Sequence, residues 1–520
     1  MHYFCTPTEE ISMKRLVFLL ALFAVLMMAS CTSTDQKLRS MIPSDAVGVV
    51  KIDLPSILDK AGIKNGEDKD ASLAIPSALK DVIDQANANI DDDLNIIGDV
   101  VNYLPESGID ISGNCYIFLS RGALQVVALL PLDDEDRAKE VVGKIAHGKM
   151  KQMRGVDFVS HLDYAFAIYD DVLMVARKIN ATDDEASAAA KHIFDNPKSS
   201  LLENEDVARA IDAEDCDIAV YVDAKGVPLF FENLNLGTAM GGFSPAAIFD
   251  GLGIKAMTAT VNFDVSNRED EKAEIVTDFI CASNGLYGMF YDKVVATAAS
   301  GDGASALEKL PGDFGTYFSL RLNGSALIKM PGVSKVLGAL PLQGIDCSHI
   351  ISSLDGTIVC GLEKIDEGDY NFGISAQATS PGAVIDEIVD FAARHGQPPV
   401  FNADGEYQYD TSDGSKALVM NNTNEVVYLR CVNYVPTNSA SEWMPLADTM
   451  KSSTATLFRL VRMGDSHEGN LCWGLRNKTH GEGFYFTEDP NENIVISAMK
   501  IFCWKEPGGM DDDEIGLSDY

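Results

Sequence analysis

Hydrophobic and polar positions along this chain fall into three kinds of pattern. Near the start, Leu16 to Ala29 is an unbroken apolar run of 14 residues, preceded by Lys14-Arg15 and closed by Ser30-Cys31. As a helix it would reach only ~21 Å, short of the ~30 Å hydrocarbon core. A basic start, a short apolar run and a small-residue close describe an export signal, not a membrane span. Met13 then serves as the start, because residues 1–12 carry no export logic. Further on, short apolar runs predict strands: Val47 to Leu54, Tyr116 to Leu119, Leu124 to Leu130 and Thr316 to Leu322. Two hairpins are expected. One is Tyr164 to Ile168 with Val172 to Ala176, turning at Asp170-Asp171; the other is Ala417 to Met420 with Val426 to Leu429. Final strands are expected at Gly483 to Thr487 and Ile494 to Phe502 around Asp489-Pro490. Helical spacing marks Asp136 to Ile145 and Ala383 to Ala393, where Val384, Ile388 and Phe391 share a face. Pro55 sits well at the first turn of a short helix. The third pattern is polar: Lys64 to Asp93, and an acidic tail from Asp511.

The chain also repeats itself. Leu104-Pro105-Glu106-Ser107-Gly108-Ile109-Asp110-Ile111-Ser112 and Leu340-Pro341-Leu342-Gln343-Gly344-Ile345-Asp346-Cys347-Ser348 share six of nine positions. Ile42-Pro43-Ser44-Asp45 and Leu310-Pro311-Gly312-Asp313 each precede a predicted strand. Glu140 to Gly148 matches Glu387 to Gly396 in register, less one residue. The offsets are 268, 236 and 248, so the first copy carries an insertion, placed in Lys64 to Asp93. The second carries a longer hairpin near Asp355 to Asp369. Two long copies imply a duplicated domain, where a solenoid would need several short ones.

Hairpins recurring between helices predict an α+β fold: two tandem related domains, each an antiparallel sheet with helices packed on one face. The expected divisions are a signal peptide at 1–30, a lipidated tether at 31–41, repeat domains at 42–305 and 306–510, and an acidic tail at 511–520.

Removing the export segment leaves 39 basic and 76 acidic residues, and a net charge of −37. No nucleic acid partner is expected, since such binding needs clustered cations to displace counterions. Electrostatic adhesion to anionic lipid is disfavoured for the same reason. Eight cysteines after Cys31 show no C-x-x-C pair, which argues against a zinc ribbon; buried thiols are expected.

Met28-Ala29-Ser30-Cys31 resembles the lipobox of bacterial lipoproteins, which implies acylation of Cys31 and membrane attachment through that lipid. Together with Ile42-Pro43-Ser44-Asp45-Ala46-Val47, Ser107-Gly108-Ile109-Asp110 and Tyr164-Ala165-Phe166-Ala167-Ile168-Tyr169-Asp170-Asp171, it resembles an uncharacterised family of Bacteroidota-type lipoproteins over the whole mature chain. These motifs mark turns and strands, so the resemblance implies an address and no activity. The single Asp35 after the cysteine resembles a periplasm-facing outer-membrane lipoprotein more than a surface-exported one.

Catalytic signatures are missing from the sequence: no G-x-S-x-G, H-E-x-x-H, Walker A loop or G-x-G-x-x-G. Asp91, Asp93 and Asn95 fit the start of a calcium loop, but Ile96 stands where glycine is needed and Asn102 where a bidentate Glu is needed. Asp410, Asp413 and Gly414 read as a turn. His147 and His395 recur before a glycine, which suits helix C-termini capped by Gly148 and Gly396. Asp110 and Asp346 recur as turn acids accepting backbone N–H groups. Trp443, Trp473 and Trp504 read as core packing, not a sugar-stacking face. No catalytic, cofactor-binding or metal-ligating residue is assigned; the one site residue is Cys31. The expected function is a non-enzymatic envelope protein that binds or scaffolds a protein or glycan, with the groove between the lobes as its first candidate site. The alternative is an envelope hydrolase of glycan or peptide that uses acidic residues.

Overall fold

The computed structural model describes residues 32–62 and, with interruptions, 107–503; the longest interruptions are 227–251 and 432–443. The export segment, Cys31, the stretch from Lys64 to Asp93 and the acidic tail lie outside the described residues.

Helix α1 (Thr32–Ser40) leads into β1 (Gly48–Asp53) and α2 (Leu54–Lys60). There follow β2 (Asn114–Leu119), β3 (Leu124–Pro131), α3 (Glu135–Ile145), β4 (Lys151–Met153), β5 (Val156–His161), β6 (Tyr164–Tyr169) and β7 (Val172–Lys178). Helices α4 (Asp183–Phe194) and α5 (Glu205–Ile211) precede β8 (Ile218–Asp223), β9 (Ile254–Asp264) and β10 (Lys272–Cys281). Short helix α6 (Leu286–Phe290), continued by a π-helical turn at Tyr291–Val295, leads to α7 (Ala304–Leu307). Then come β11 (Thr316–Asn323), α8 (Gly324–Leu327), α9 (Cys347–Ser353), β12 (Leu354–Asp366), β13 (Asp369–Ala378) and α10 (Pro381–Arg394). The chain continues through β14 (Val400–Phe401), β15 (Tyr407–Asp410), β16 (Ala417–Asn422), β17 (Val426–Cys431) and α11 (Met444–Ser452). It closes with β18 (Ala455–Met463), β19 (His467–Leu475), β20 (His480–Thr487) and α12 (Ile494–Cys503).

The twenty strands among the described residues belong to one sheet, and every pairing between them is antiparallel. From one edge to the middle the order is β4-β5-β6-β7-β3-β2-β1-β8-β9-β10. From the other edge it is β14-β15-β16-β17-β13-β12-β11-β18-β19-β20. Every number in the second series is the first plus ten, and the series meet where β10 pairs with β20, from Lys272↔Phe486 to Asp278↔His480.

In the first half-sheet both faces are buried, which corrects the expectation of helices on one face. The cause is four successive apolar residues in β2. Strand alternation sends Cys115 and Ile117 to one core with Ala128 and Leu130, and Tyr116 and Phe118 to another with Val127 and Leu129. Helices α2, α3 and α12 close the first core; α1, α4 and α5 close the second.

Helix α1 corrects the expected tether. Residues 32–40 are helical and docked, because Leu38, Met41 and Ile42 are apolar and wholly buried, each worth ~1.5–3 kcal/mol. Polar contacts fix its orientation. Asn114 Nδ2 and Tyr116 Oη donate to Asp35, each at 2.8 Å, and the Arg39 guanidinium forks onto Asp212.

The second expected final strand, Ile494 to Phe502, is helix α12. Its β-branched start reads as a strand, yet the Asn493 side chain accepts from the N–H groups of Val495 and Ile496 and opens a helix buried from Ile494 to Ala498.

The two half-sheets exchange arms. The stretch after β10 lays Tyr291 and Val295 on Leu320, Ala455, Trp473 and Leu475 of the second half. The helix after β20 lays Ile494, Val495 and Ala498 into the core beneath α3, and Asn493 Nδ2 donates to the Lys60 carbonyl at 2.8 Å. Residue 305 is therefore no boundary in space. Ile494→Ala is expected to cost about 2–5 kcal/mol in denaturant unfolding and to raise amide exchange in α2, 434 residues upstream at Lys60. Equal exchange in α2 with and without Ile494 would contradict the exchanged-arm packing.

Candidate functional site

Three of the four recurring residues that sequence singled out, His147, Asp346 and His395, lie at or just past helix ends. Asp346 caps α9, its carboxylate accepting from the His349 N–H at 3.0 Å, while its own N–H donates to Glu387 on α10. Asp110 lies in the chain that returns over β3, its N–H donating to the Pro131 carbonyl. Gly108 explains the motif there. Its φ is +68°, and a Cβ would stand 2.1 Å from the Asp134 carbonyl oxygen, while its own carbonyl accepts from Asp133 and Asp134 at the start of α3. The motif thus hooks α3 onto the sheet. His395 is the C-cap of α10, with Nδ1 2.8 Å from the Phe391 carbonyl, and Gly396 follows at φ +80°. After α3 the histidine itself takes the left-handed conformation: His147 has φ 47°, in place of the expected Gly148. Its ring packs edge-on against His161, 5.4 Å between centroids.

Trp473 packs beneath the arm after β10 and donates from Nε1 to Thr277 Oγ1 at 3.0 Å, across the central pairing. Trp443, Trp504, the Asp91–Asn95 acids and the 411–416 turn lie outside the described residues. No disulfide joins the seven described cysteines; three are buried and four half-buried. Burial pushes the Cys472 thiol up to about 11, although its hydrogen bond with Thr449 pulls the other way. Among the described residues, no group of three or more His, Cys, Asp or Glu side chains could hold a metal.

Two buried acids carry the densest polar contacts, and sequence reasoning missed both. Asp217, 1% exposed, accepts from Ser56 Oγ at 2.6 Å, Lys60 Nζ at 2.8 and 2.9 Å, and the Phe263 N–H at 2.6 Å. Lys60 Nζ also donates to Asn262 Oδ1. Ser56 and Lys60 stand one turn apart on α2, which was the available signal. This cluster ties α2 to β8 and β9, and through the Lys60 carbonyl to Asn493 of α12. Its hydroxyl and ammonium both point at one carboxylate. That arrangement holds the serine and the lysine on the carboxylate. The second acid, Glu406, accepts from Asn402 Nδ2 at 3.0 Å, Tyr428 Oη at 2.8 Å and Arg430 Nη2 at 3.1 Å. Burial opposes its ionisation, but these three donors outweigh it and hold the carboxyl below its usual range.

A cavity of about 20 Å³, roughly one water's space, lies under α3 between Ser107, Val141, Phe166 and Leu173. It is apolar and inside the first half. The meeting of the halves, where a ligand groove was expected, is a hydrogen-bonded strand pair.

The second half carries an apolar surface. Phe318 opposes Cys360, Cys360 opposes Ile374, and Ile374 opposes Leu429, a row across four adjacent strands, with Leu362 opposite Phe372 beside it. Phe318, Leu362 and Ile374 are 48%, 46% and 42% exposed. One face of these strands lies under α7 and α11; on the other, the arm after β10 reaches Leu320 of β11, and Ala376, Met420 and Cys431 are buried.

No protein-family model matches the chain, and no curated protein matches it. Among solved structures, crystal form III of TP0453 is similar with a TM-score of 0.30 and 8% identity, over 50% of this chain and 87% of that chain. Crystal form I of TP0453 gives 0.28 and 9%, over 48% and 82%. Likeness at this level carries no functional argument.

Asp217→Ala is expected to destabilise by about 3–5 kcal/mol, since it leaves the Lys60 ammonium among groups shaped for a carboxylate. The double variant with Lys60→Met should recover part of that loss. Additive losses in chemical denaturation would mean that the two side chains act independently.

Proposed function

We propose that this chain is a lipid-anchored protein of the bacterial cell envelope, facing the periplasm from the outer membrane, and that it binds or scaffolds a protein or glycan without catalysing a reaction. The observation that carries the reading is the order of residues from Met13 to Cys31: basic start, apolar run too short to span, small residue, cysteine. Membership of the Bacteroidota-type lipoprotein family that these motifs resemble belongs to the same proposal. No described helix is long and apolar enough to cross a membrane, so the reading assigns attachment to the acyl group on Cys31.

Two related copies, fused through β10 and β20, form the body in this reading. Support comes from the shared L-P-x-x-G-I-D-x-S motif, the two strand series that differ by ten, and helix N-caps at the ends of β1 and β11. There Asp53 accepts from Ser56 N–H and Asn323 from Ala326 N–H. Helix α1 begins one residue after Cys31, so the anchored body rides against the bilayer with about one residue, ~3.6 Å, of slack. Binding is assigned to the open row of Phe318, Leu362 and Ile374, because contiguous exposed apolar surface marks interaction sites on soluble proteins. A hydrolase of the two-carboxylate kind needs paired acids in one pocket, one of them able to give up a proton. Among the described residues each buried acid is matched to its own cation, Asp217 to Lys60 and Glu406 to Arg430, which favours the binding reading.

Cells fed labelled palmitate should incorporate label into the wild-type chain and none into Cys31→Ala, which should leave the membrane fraction after processing. Membrane fractionation of Cys31→Ala with no label in either form would overturn the anchor. Phe318→Ser should weaken capture of partners from native envelopes at least tenfold without moving the thermal midpoint. Unchanged capture would remove the apolar row from the reading.

A further inference from the structure

The pairing that fuses the half-sheets ends on a histidine held from both sides. His480 of β20 stands directly opposite Asp278 of β10. Its Nδ1 lies 2.9 Å from Asp278 Oδ1 and its Nε2 lies 3.0 Å from Glu482 Oε1. A neutral imidazole has one N–H, so it can donate to only one of these carboxylates; the imidazolium donates to both. Around the ring, β10 contributes Asp278, β20 contributes Glu482, and the chain after β19 contributes Arg476, whose Nε donates to Glu482 Oε2 at 3.0 Å. The adjoining turn holds Lys478, paired with Asp292 on the arm after β10, and its Lys478 carbonyl accepts from Tyr287 Oη. On β9, Thr258 faces Asp278 and carries no charge. Further along β10, Glu274 is neutralised by Lys272.

We propose that His480 is a proton-operated latch, whose protonation clamps β10 to β20 and holds the docking turn for the arm, and whose deprotonation loosens this end of the join. When the proton leaves, one carboxylate faces a ring lone pair, and Asp278 and Glu482 stand as like charges across an uncharged ring. The turn that seats Tyr287 and Lys478 then keeps its contacts to Asp292, Tyr287 and Phe279 but loses one of the two carboxylate hydrogen bonds made through His480.

The sign follows from the direction of titration. Hydrogen bonding to Asp278 first, then to Glu482, raises the His480 pKa above its ordinary value. A group raised in the folded state contributes stability in full below its unfolded value of about 6.5, and that contribution is lost as pH rises through the folded value. The join therefore loosens on the alkaline side.

Histidine-specific hydrogen–deuterium exchange read by mass spectrometry, on the full mature chain, reports the titration of His480 directly. Its midpoint should lie above about 6.5 and fall toward that value in Asp278→Asn. Opening at the Phe279 amide, which donates to the Thr479 carbonyl, should rise about three- to tenfold between pH 5.5 and 8.5 after correction for intrinsic rates, and His480→Gln should abolish the rise. A His480 midpoint at the ordinary value, or the same pH response in wild type and His480→Gln, would overturn the latch. If His480→Gln fails to fold, the comparison of wild type with Asp278→Asn decides alone.

Discussion

The antiparallel pairing of β10 with β20 is the constraint on which the rest of the molecule depends. Each half-sheet ends there in a strand whose N–H and C=O groups would otherwise lie bare, and unpaired edges of such length invite aggregation. Joining edge to edge satisfies both at once and turns two ten-stranded sheets into one. It also places the stretch after each last strand beside the opposite half. The exchanged arms follow from that geometry: the Tyr291–Val295 turn falls on the second half and α12 on the first. Neither half then keeps its full core without the other.

That coupling locates the polar chemistry as well. Lys60, Asp217 and Asn262 sit where α12 arrives through Asn493, and His480, Asp278 and Glu482 sit where the other arm's docking turn begins. A buried carboxylate with three donors making four hydrogen bonds is costly to desolvate and yields little net stability over an apolar replacement. What it gives is geometry, since only one placement of α2 against β8 and β9 satisfies all the donors. The Asp217 and His480 clusters thus lie at joints between elements distant in sequence, whereas Glu406 is held by the neighbouring Asn402, Tyr428 and Arg430.

Much of the first half was legible because its signals are local. Asp170 and Asp171, with φ of 51° and 58°, form the two-residue turn whose twist suits a hairpin, and β6 and β7 lie where alternation put them. Pro55 marked the first turn of α2, and the spacing of α3 and the run of α10 placed two more helices to within two residues. Other features failed for tertiary reasons. Ile494 to Cys503 carries β-branched residues that locally favour a strand, and only the core that receives it makes the helix better. Helix α1 read as linker because its sequence is polar but for Leu38; Met41, Ile42 and the Arg39–Asp212 fork decide its docking. Asp217 looked like one acid among many, since nothing nearby in sequence announces Lys60, 157 residues away.

The same reasoning separates the surfaces of the two halves. At β2 and β3 the positions facing the α3 side are Cys115, Ile117, Ala128 and Leu130, small or medium residues that let α3 settle closely. In the second half Phe318, Leu362 and Ile374, on β11, β12 and β13, are left 42–48% open. Exposing bulky apolar groups where smaller or polar ones would keep the surface quiet costs solubility, a cost that a net charge of −37 offsets across the rest of the surface. The first half is built as a closed, doubly covered core. In the second half, Phe318, Leu362 and Ile374 stay open on a face whose far side, at Ala376, Met420 and Cys431, is buried, so the opening is local to β11, β12 and β13.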